Sequence, residues 1–481
     1  MRDASKYLLP VATLVLLCSS AAFADTAKQV SQYGITWTFD AEYEVGQFVN
    51  GDYWVVGPCS VVSVSPDPVY GEKGRNGSMV NPEVKERSGQ GYDSRTSSYD
   101  AKLMVRFPRT LKPGESMIST VSLADDELKK TIDLVGGKPS AARLRTAAVL
   151  TCLAKPAKPT MFRPPYVGTR KPLFDSAQLK RDLLPAVAPV AGKFCVGWLA
   201  EGKTPCEQFA RYFQRPWILH EWDYLGRNLH PIENMPGYHK TVYAVVTDAA
   251  LLLVCDYPDR EPLLVNFVQV GIDSYYVTVA GNGKDDGDSS LHKWPVIFAG
   301  LLLGDEGMQK TAYQLYRTDE KTYYAGKGTS PVTSAKVPAG QGWTGAKALW
   351  RHSFGREEHE HLHPTEWLTS GDNSKKFGGF KREGYRRLNS QPWPGLALAV
   401  RLMGAVKTWN HPAFFDYVDR WMTEPDEENR KYLEKIGEEL IGEKINLGIR
   451  GGTCTSEFSK NMWNKHRVAE EKVVPEGPET E

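Results

Sequence analysis

The chain has 481 residues, and its 59 Lys and Arg almost balance 58 Asp and Glu, giving a formal net charge of +1. Such a balance argues against a nucleic-acid partner, which usually requires a basic patch or stripe. The length suits two or three domains. No segment beyond the first 24 residues is long and apolar enough to predict a membrane span.

The N-terminus has the features of a signal peptide. Arg2 and Lys6 precede an apolar run from Tyr7 to Cys18, and residues 22–24 (Ala-Phe-Ala) offer a small-x-small cleavage site. An uncleaved anchor would need about 20 apolar residues, and Leu17 is too bulky for lipoprotein processing at Cys18. We therefore expect residues 1–24 to be removed and the mature chain to be exported to the periplasm or beyond.

Residues 25–155 alternate apolar and polar side chains in short runs. The alternation is clearest from Ile35 to Phe39 and from Leu103 to Phe107, with further strand-like runs at Val61–Val64 and Ala147–Leu150. Turn residues separate the runs, and one face of each is polar. This pattern predicts an antiparallel β-sandwich.

The period changes after a Pro-rich segment at 156–172, which predicts an extended interdomain linker. From 173 to 467 apolar residues recur every three or four positions, which predicts paired helices in a bundle, solenoid or toroid. Asn410 is placed to cap one of them. An acidic tail, 468–481, is predicted to be disordered. Helices are expected at 242–253, 262–280, 294–303, 396–403, 412–422 and 427–441.

Export would allow the cysteines that remain after cleavage to form disulfides. We expect a local Cys195–Cys206 bond and a Cys59–Cys152 bond that joins the ends of the β domain. The sequence contains no paired CxxC spacing, so we do not expect a zinc site built from cysteines.

Two polar and aromatic clusters are candidate site regions. Rings that stack on sugar faces, interleaved with hydrogen-bonding groups, suit a carbohydrate-binding cleft, although an ordinary interdomain loop has a similar composition. In the second cluster, Tyr275 could equally be a core tyrosine. The first cluster comprises His220, Glu221, Trp222, Asp223, Tyr224, Arg227, Asn228, His230, Glu233, Asn234 and Tyr238; the second comprises Gln269, Asp273, Tyr275, Tyr276, Asn282, His292, Lys293 and Trp294.

The segment His359-Glu360-His361-Leu362-His363 contains HExxH, the signature of zinc proteases. Pro364 follows directly, where the helix of such an enzyme must continue, so we do not expect a catalytic zinc site. Weak metal binding by alternating histidines and a solvated histidine-rich loop are the other interpretations, with the solvated loop favoured. Likewise Asp285–Asp288 lacks the closing glutamate of a calcium loop, and we expect neither metal nor cofactor.

Five stretches of the chain carry a resemblance to known proteins: 46–58, 230–236, 269–275, 292–304 and 410–422. Together they resemble a group of secreted bacterial proteins with a β-sandwich ahead of an (α/α) toroid, a group similar to alginate and glucuronan lyases. The resemblance implies an antiparallel β-sandwich followed by an all-α (α/α) toroid that carries catalysis. The chain departs from the group between Gly283 and His292, where an acidic insert replaces a short turn.

The resemblance implies a lyase that cleaves a uronic-acid polysaccharide by β-elimination without a metal. A base removes the C5 proton, an acid protonates the leaving O4, and polar groups neutralise the carboxylate. His220 and Tyr275 are the first candidates for proton transfer, and His239 is a second candidate base. The candidates for substrate binding are Asn228, His230, Asn234, Tyr238, Trp222, His292 and Lys293.

Three alternatives stay open at this level. A glycoside hydrolase on a similar toroid would need two carboxylates, for which Glu221, Asp223 and Glu233 are available. A non-catalytic glycan-binding protein needs the aromatics but neither acid nor base. A zinc protease using the histidine run is the remote alternative. The expected partner is an acidic polysaccharide, and no pattern indicates an oligomeric state.

Overall fold

The structure is a computed structural model. It describes residues 25–84, 89–96, 98–132, 135, 141–197, 199–221, 229–232, 234, 240–280, 293–310, 316–326, 332–353, 356–369 and 378–470. The predicted signal peptide lies outside these residues. A β part, residues 25–153, precedes a helical region that extends from 205 to 470.

The β part is built on one eight-stranded sheet in the order β5-β7-β8-β3-β2-β4-β6, with β1 paired to β2. Neighbouring strands are antiparallel except β3 and β8, which are parallel from Tyr53↔Leu150 to Val56↔Leu153. The strands are β1 (Asp25–Gln32), β2 (Ile35–Gln47), β3 (Tyr53–Val56), β4 (Cys59–Ser65), β5 (Ser78–Val80), β6 (Arg109–Leu111), β7 (Ser116–Ser122) and β8 (Leu144–Leu153), and a short helix, α1 (Asp125–Leu128), follows β7.

The sheet is curled, and this corrects the predicted antiparallel sandwich. Ile35, Trp37 and Phe39 alternate inward along β2 and are fully buried, as their period of two predicts. The Trp37 indole N–H donates to the Ser119 hydroxyl of β7 at 3.0 Å, although β2 and β7 are not neighbours in the sheet. One continuous sheet therefore encloses the core that two sheets were expected to enclose.

The strand predicted from Leu103 to Phe107 is wrong. Residues 101–108 form turns and bends, and Leu103 is 39% exposed. The Val105 N–H donates to the Ser78 carbonyl of β5 at 2.9 Å, and the chain then enters β6 at the opposite edge of the sheet. The segment thus bridges the two edges of the curled sheet, a task its alternation alone does not reveal.

The predicted linker at 156–172 lies in the interface between the β part and the helical region. Phe162 and Tyr166 are fully buried, and both belong to an apolar core that also contains Ile118 and Val149 of the sheet. The segment predicted to be an extended linker therefore contributes side chains to the interior of the protein.

The helical region confirms the six predicted helices, and the described residues contain six more that were not predicted, three of them with 10 to 14 residues. Its helices are α2 (Pro205–Gln214), α3 (Lys240–Val254), α4 (Glu261–Ala280), α5 (Lys293–Leu303), α6 (Glu306–Gln309), α7 (Arg317–Glu320), α8 (Gly378–Ser390), α9 (Trp393–Leu402), α10 (Val406–Trp409), α11 (Pro412–Thr423), α12 (Asp426–Ile441) and α13 (Glu457–Glu470). Helix α4 packs on α2 and α5, and α3 packs on α9. A Cβ on Gly271 would lie 2.2 Å from the Pro295 carbonyl oxygen, so glycine permits the close crossing of α4 and α5.

Three expectations about this region need correction. It is not all-α, because β9 (Thr322–Tyr324), β10 (Ala348–Ser353) and β11 (Arg356–Glu358) form a small sheet. Asn410 does not cap α11; it ends α10 in the left-handed conformation with φ of 56°. Helix α13 continues to Glu470, so the tail predicted from residue 468 is helical at its start. Among the described residues, no helix combines the length and apolar character needed to cross a bilayer.

The six cysteines in the described part of the chain are free thiols in this structure. Cys59 and Cys152 are hydrogen-bonded neighbours in the core of the β part, as their predicted pairing requires, but they are not bonded covalently. The predicted Cys195–Cys206 bond is not formed. The Cys195 thiol contacts Asp248, whereas Cys206 lies near Cys255 and Asp259, so the two thiols have different neighbours.

Candidate functional site

A buried group of aromatic and polar side chains lies where the β part meets the helical region; we call it the junction cluster and define it as Tyr92, Tyr166, Trp217, His220 and Asn234. Trp217 and His220 lie in the segment that follows α2, and the other three come from separate turns or loops. All five are at most 1% exposed. Of the predicted residues, His220 contacts two tyrosines that precede it in the chain, and Asn234 bonds to the Arg215 carbonyl of the segment that carries His220.

Hydrogen bonds to the backbone fix the segment that carries His220. The Trp217 indole donates to the Tyr212 carbonyl at the end of α2, at 2.9 Å. The Tyr166 hydroxyl donates to the Trp217 carbonyl at 3.0 Å and accepts from the Leu219 N–H at 2.8 Å. Because Tyr166 uses its hydroxyl in this way, its role is to position the neighbouring chain.

His220 lies edge-to-face between two tyrosine rings. Its ring centroid is 5.7 Å from that of Tyr92 and 5.8 Å from that of Tyr166. Neither imidazole nitrogen has a hydrogen-bond partner among the described residues. Burial lowers the pKa of His220 to about 3, so the ring is neutral near pH 7. A buried histidine with both nitrogens unpaired is costly, and such groups concentrate at functional sites.

Tyr92 is the residue that sequence reasoning missed. Its hydroxyl is buried, and it too lacks a hydrogen-bond partner within the described part of the chain. Burial raises the pKa of Tyr92 well above its ordinary value, and the nearby Tyr166 and Glu221 raise it further, so the phenol stays protonated. Tyr92 lies in the β part, far in sequence from the polar segment at 217–238, and no local pattern marks it.

The other described members of the first sequence cluster lie close by. Glu221 and His230 are buried, and the His230 ring centroid is 6.1 Å from that of Trp217. The Asn234 amide donates to the Arg215 carbonyl at 2.7 Å, while its oxygen has no partner among the described residues. Trp222, Asp223, Tyr224, Arg227, Asn228, Glu233, Tyr238 and His239 lie outside the described residues.

A buried ion-pair group adjoins the cluster and connects three parts of the chain. Arg163 donates to Asp52 at 2.5 Å and to both carboxylate oxygens of Asp273 at 3.1 and 2.5 Å. All three side chains are at most 3% exposed. The arginine therefore links the turn before β3, the linker and α4, and its guanidinium carbon is 5.9 Å from the centre of the Tyr166 ring.

The structure does not bring Tyr275 to His220. Tyr275 follows Asp273 by two positions on α4, which turns it by about 200° from the face that contacts Arg163. Its ring packs against Tyr276, with centroids 5.1 Å apart, and a Cβ on Gly307 of α6 would lie 2.5 Å from its hydroxyl. Tyr275 thus lies on the side of α4 opposite the face that contacts Arg163, and its ring contacts do not include His220.

Lys293, a predicted substrate-binding residue, is committed to an interior ion pair. It is 2% exposed and pairs with Asp319, which also accepts from the Trp409 indole at 2.9 Å. Its ammonium lies 4.7 Å from the centre of the Trp409 ring. The Lys293 charge is therefore balanced by contacts in the interior of the protein. Asn282, His292 and the acidic insert at 285–288 lie outside the described residues.

The histidine run forms a turn after β11, and its histidines have separate partners. His359 contacts the Glu383 carboxylate at 3.2 Å, and His363 contacts the Tyr432 hydroxyl at 3.1 Å. Within the described residues, no three His, Cys, Asp or Glu side chains are grouped as metal ligands.

Glu360, the would-be zinc-protease base, accepts two hydrogen bonds from Arg420, at 2.6 and 3.1 Å. Burial alone would raise the pKa of Glu360, but Arg420 and Arg386 hold it below its ordinary value. His359 and Glu360 are at most 1% exposed, so the expectation of a solvated loop is wrong. Ion pairing explains how so polar a segment can be interior.

Comparison of the chain with protein-family models, with curated proteins and with solved structures gives no match. The assignment of a function therefore depends on the residues of the site.

Proposed function

We propose that this chain is an exported polysaccharide lyase that cleaves a uronic-acid glycan, alginate-like or glucuronan-like, by β-elimination. We further propose that the helical region is an (α/α) toroid that carries the reaction. The observation that carries the proposal is a pair of buried proton-transfer groups at the junction, the His220 imidazole and the Tyr92 hydroxyl, neither of which has a hydrogen-bond partner among the described residues. A base beside an acid suits a reaction in which the base takes one proton and the acid gives one up.

The chemistry assigns complementary roles to the two groups. A neutral imidazole can accept the C5 proton, and a phenol that stays protonated can give its proton to O4 as the C4–O4 bond breaks. The electrons of the C5–H bond form the C4–C5 double bond of the product. His230 and Asn234 are the described candidates to hold the uronate carboxylate, whose charge must be stabilised as the carbanion character develops.

The test is turnover of uronate polymers, followed by the ultraviolet absorbance of the unsaturated product, in matched tyrosine variants. Tyr92→Phe should lower turnover by roughly a hundredfold or more. It should leave thermal stability unchanged or slightly higher, since it removes a buried hydroxyl that has no hydrogen-bond partner in the described part of the chain. Tyr275→Phe, on the far face of α4, should retain near-normal activity. The reverse pattern would restore Tyr275 as the acid and reject Tyr92.

A second candidate is a secreted glycan-binding protein without catalysis. The observation that favours it is burial: His220 and Tyr92 are fully inaccessible in this structure, so a glycan must displace neighbouring chain to reach them. Binding of uronate oligosaccharides without any unsaturated product, in the wild type as well as in both variants, would select this function.

A further inference from the structure

A groove of about 450 Å³, lined by both polar and apolar side chains, lies on the β part, at the place where the chain bridges the two edges of the curled sheet. One wall is the end of β5 with Asn81 and Glu83. The other is the segment 102–109, which supplies Lys102, Leu103, Arg106 and Arg109. None of the residues of the junction cluster lines it, so it is a separate feature of the molecule.

The groove has a rigid wall. The Asn81 side chain accepts from the Ser116 N–H at 2.8 Å and donates to the Gly114 carbonyl at 3.2 Å. The Val105 N–H bonds to Ser78 of β5, which fixes the opposite wall against the same strand. A ligand would therefore meet a formed surface, which reduces the entropy lost on binding.

Its cations are available for a ligand. Arg109 pairs with Glu115 at 3.1 Å, but Lys102 and Arg106 make no side-chain hydrogen bond or ion pair with the described residues. The Arg106 guanidinium lies over the Tyr70 ring, with 4.7 Å between its central carbon and the ring centre. Stacking of this kind orients a guanidinium, and the exposed ring beside it offers a face for a sugar.

We propose that this groove is a second binding site for a carboxylated glycan chain. Arg106 would hold a uronate carboxylate through paired N–H donors, Lys102 would bind the next charge, and Tyr70 would contact a sugar ring. The choice of a uronate ligand rests on the proposed lyase function. The groove does not, nor does the finding that Lys102 and Arg106 have no ion-pair partner among the described residues. Holding the polymer on the β part would raise its effective concentration at the junction.

The experiment measures binding of polyglucuronate and alginate oligosaccharides by calorimetry, with dextran as the neutral control. It is done in a His220→Ala background so that no ligand is degraded. The double variant Lys102→Ala/Arg106→Ala should weaken uronate binding by about tenfold or more, because two charge-assisted contacts are lost. Lys28→Ala/Lys112→Ala removes the same charge from exposed positions of the β part outside the groove and should stay within about twofold.

The proposal is overturned if both double variants lose affinity equally, since that would indicate general electrostatic attraction, or if the groove variant binds as the wild type does. Binding of dextran comparable to that of the uronates would also overturn it. Failure of the lyase function is read separately. If wild-type protein makes no unsaturated product while the groove variant alone loses binding, the groove stands and the lyase proposal falls.

Discussion

Replacing Arg163 by methionine should destabilise the protein more than any surface arginine replacement. Arg163→Met keeps a similar side-chain length but leaves the carboxylates of Asp52 and Asp273 buried without their shared partner. Removing one partner of a buried ion pair costs about 3–5 kcal/mol. Asp52 retains bonds from Gln32 and Asn50, and the charge of Lys171 also favours ionised Asp273, so we expect the lower end, about 3 kcal/mol.

The loss should depend on pH, with a sign that tests the explanation. Burial already raises the pKa of Asp273 above its ordinary 3.8, and Arg163 opposes the rise. Without Arg163 the folded-state pKa rises further, while the unfolded value is unchanged. A carboxyl whose folded-state pKa is raised destabilises the fold at high pH, and this destabilisation disappears as pH falls from the folded-state pKa toward 3.8. The variant should therefore recover part of its deficit at pH 5 relative to pH 7.

Urea unfolding followed by tryptophan fluorescence at the two pH values measures both effects. Arg181→Met is the matched control: Arg181 pairs with Glu261 at the start of α4, but the two side chains are 39% and 53% exposed. Its loss should be below about 1 kcal/mol and independent of pH in this range. A deficit for Arg163→Met as small as the control's, or one that grows on acidification, would refute the reasoning.

Three further expectations follow from buried groups. Protein prepared under oxidising conditions should contain a Cys59–Cys152 disulfide, because the two thiols are neighbours. Thiol titration under denaturing conditions would then find four of the six described cysteines free, and six free thiols would contradict the prediction. Glu360→Gln should cost about 3 kcal/mol, because it removes the buried negative charge that pairs with Arg420 and Arg386. A zinc chelator should leave the melting temperature of the wild type unchanged, and a large drop on chelation would revive the zinc interpretation. Burial lowers the pKa of His220 to about 3, below the unfolded value of about 6.5, so the stability that the neutral ring contributes is full above pH 6.5 and is lost on acidification. Between pH 7 and pH 5 the wild type should therefore lose about 2 kcal/mol more of its free energy of unfolding than His220→Gln does. Equal losses would show that the ring is accessible.

The hydrophobic periodicity of the sequence predicted correctly those strands and helices whose structure depends on burial along the element itself. The alternation from Ile35 to Phe39 gave an inward-facing strand, and the apolar recurrence in α4 gave its helix from Glu261 to Ala280, because both patterns reflect burial along one element. The alternation from Leu103 to Phe107 failed. The Val105 N–H of that segment donates one hydrogen bond to β5, and the chain then crosses to the opposite edge of the sheet. This path depends on strands that are distant in sequence, so the local pattern does not predict it.

The site was predicted in part for the same reason. The density of polar and aromatic residues after Trp217 marked His220 and Asn234 as members of one region. The partner of His220 could not be found in this way, since Tyr92 reaches it only through the docking of the β part on the helical region. Tyr275 and Asp273 are near neighbours in sequence, yet helix geometry sends them to opposite sides.

The parallel pairing of β3 with β8 has a consequence for how the chain matures. The partner of Tyr53 in the ladder is Leu150, about a hundred residues later, whereas β2 and β4 lie close to β3 in sequence. As the chain is synthesised or emerges from a translocation channel, the first four strands, β1 to β4, can pair early. One edge of β3 remains unpaired until β8 becomes available. An unpaired strand edge invites contact with other chains. We expect this interval to be the most aggregation-prone stage in the life of the protein, and a chaperone that protects exposed strands to act there.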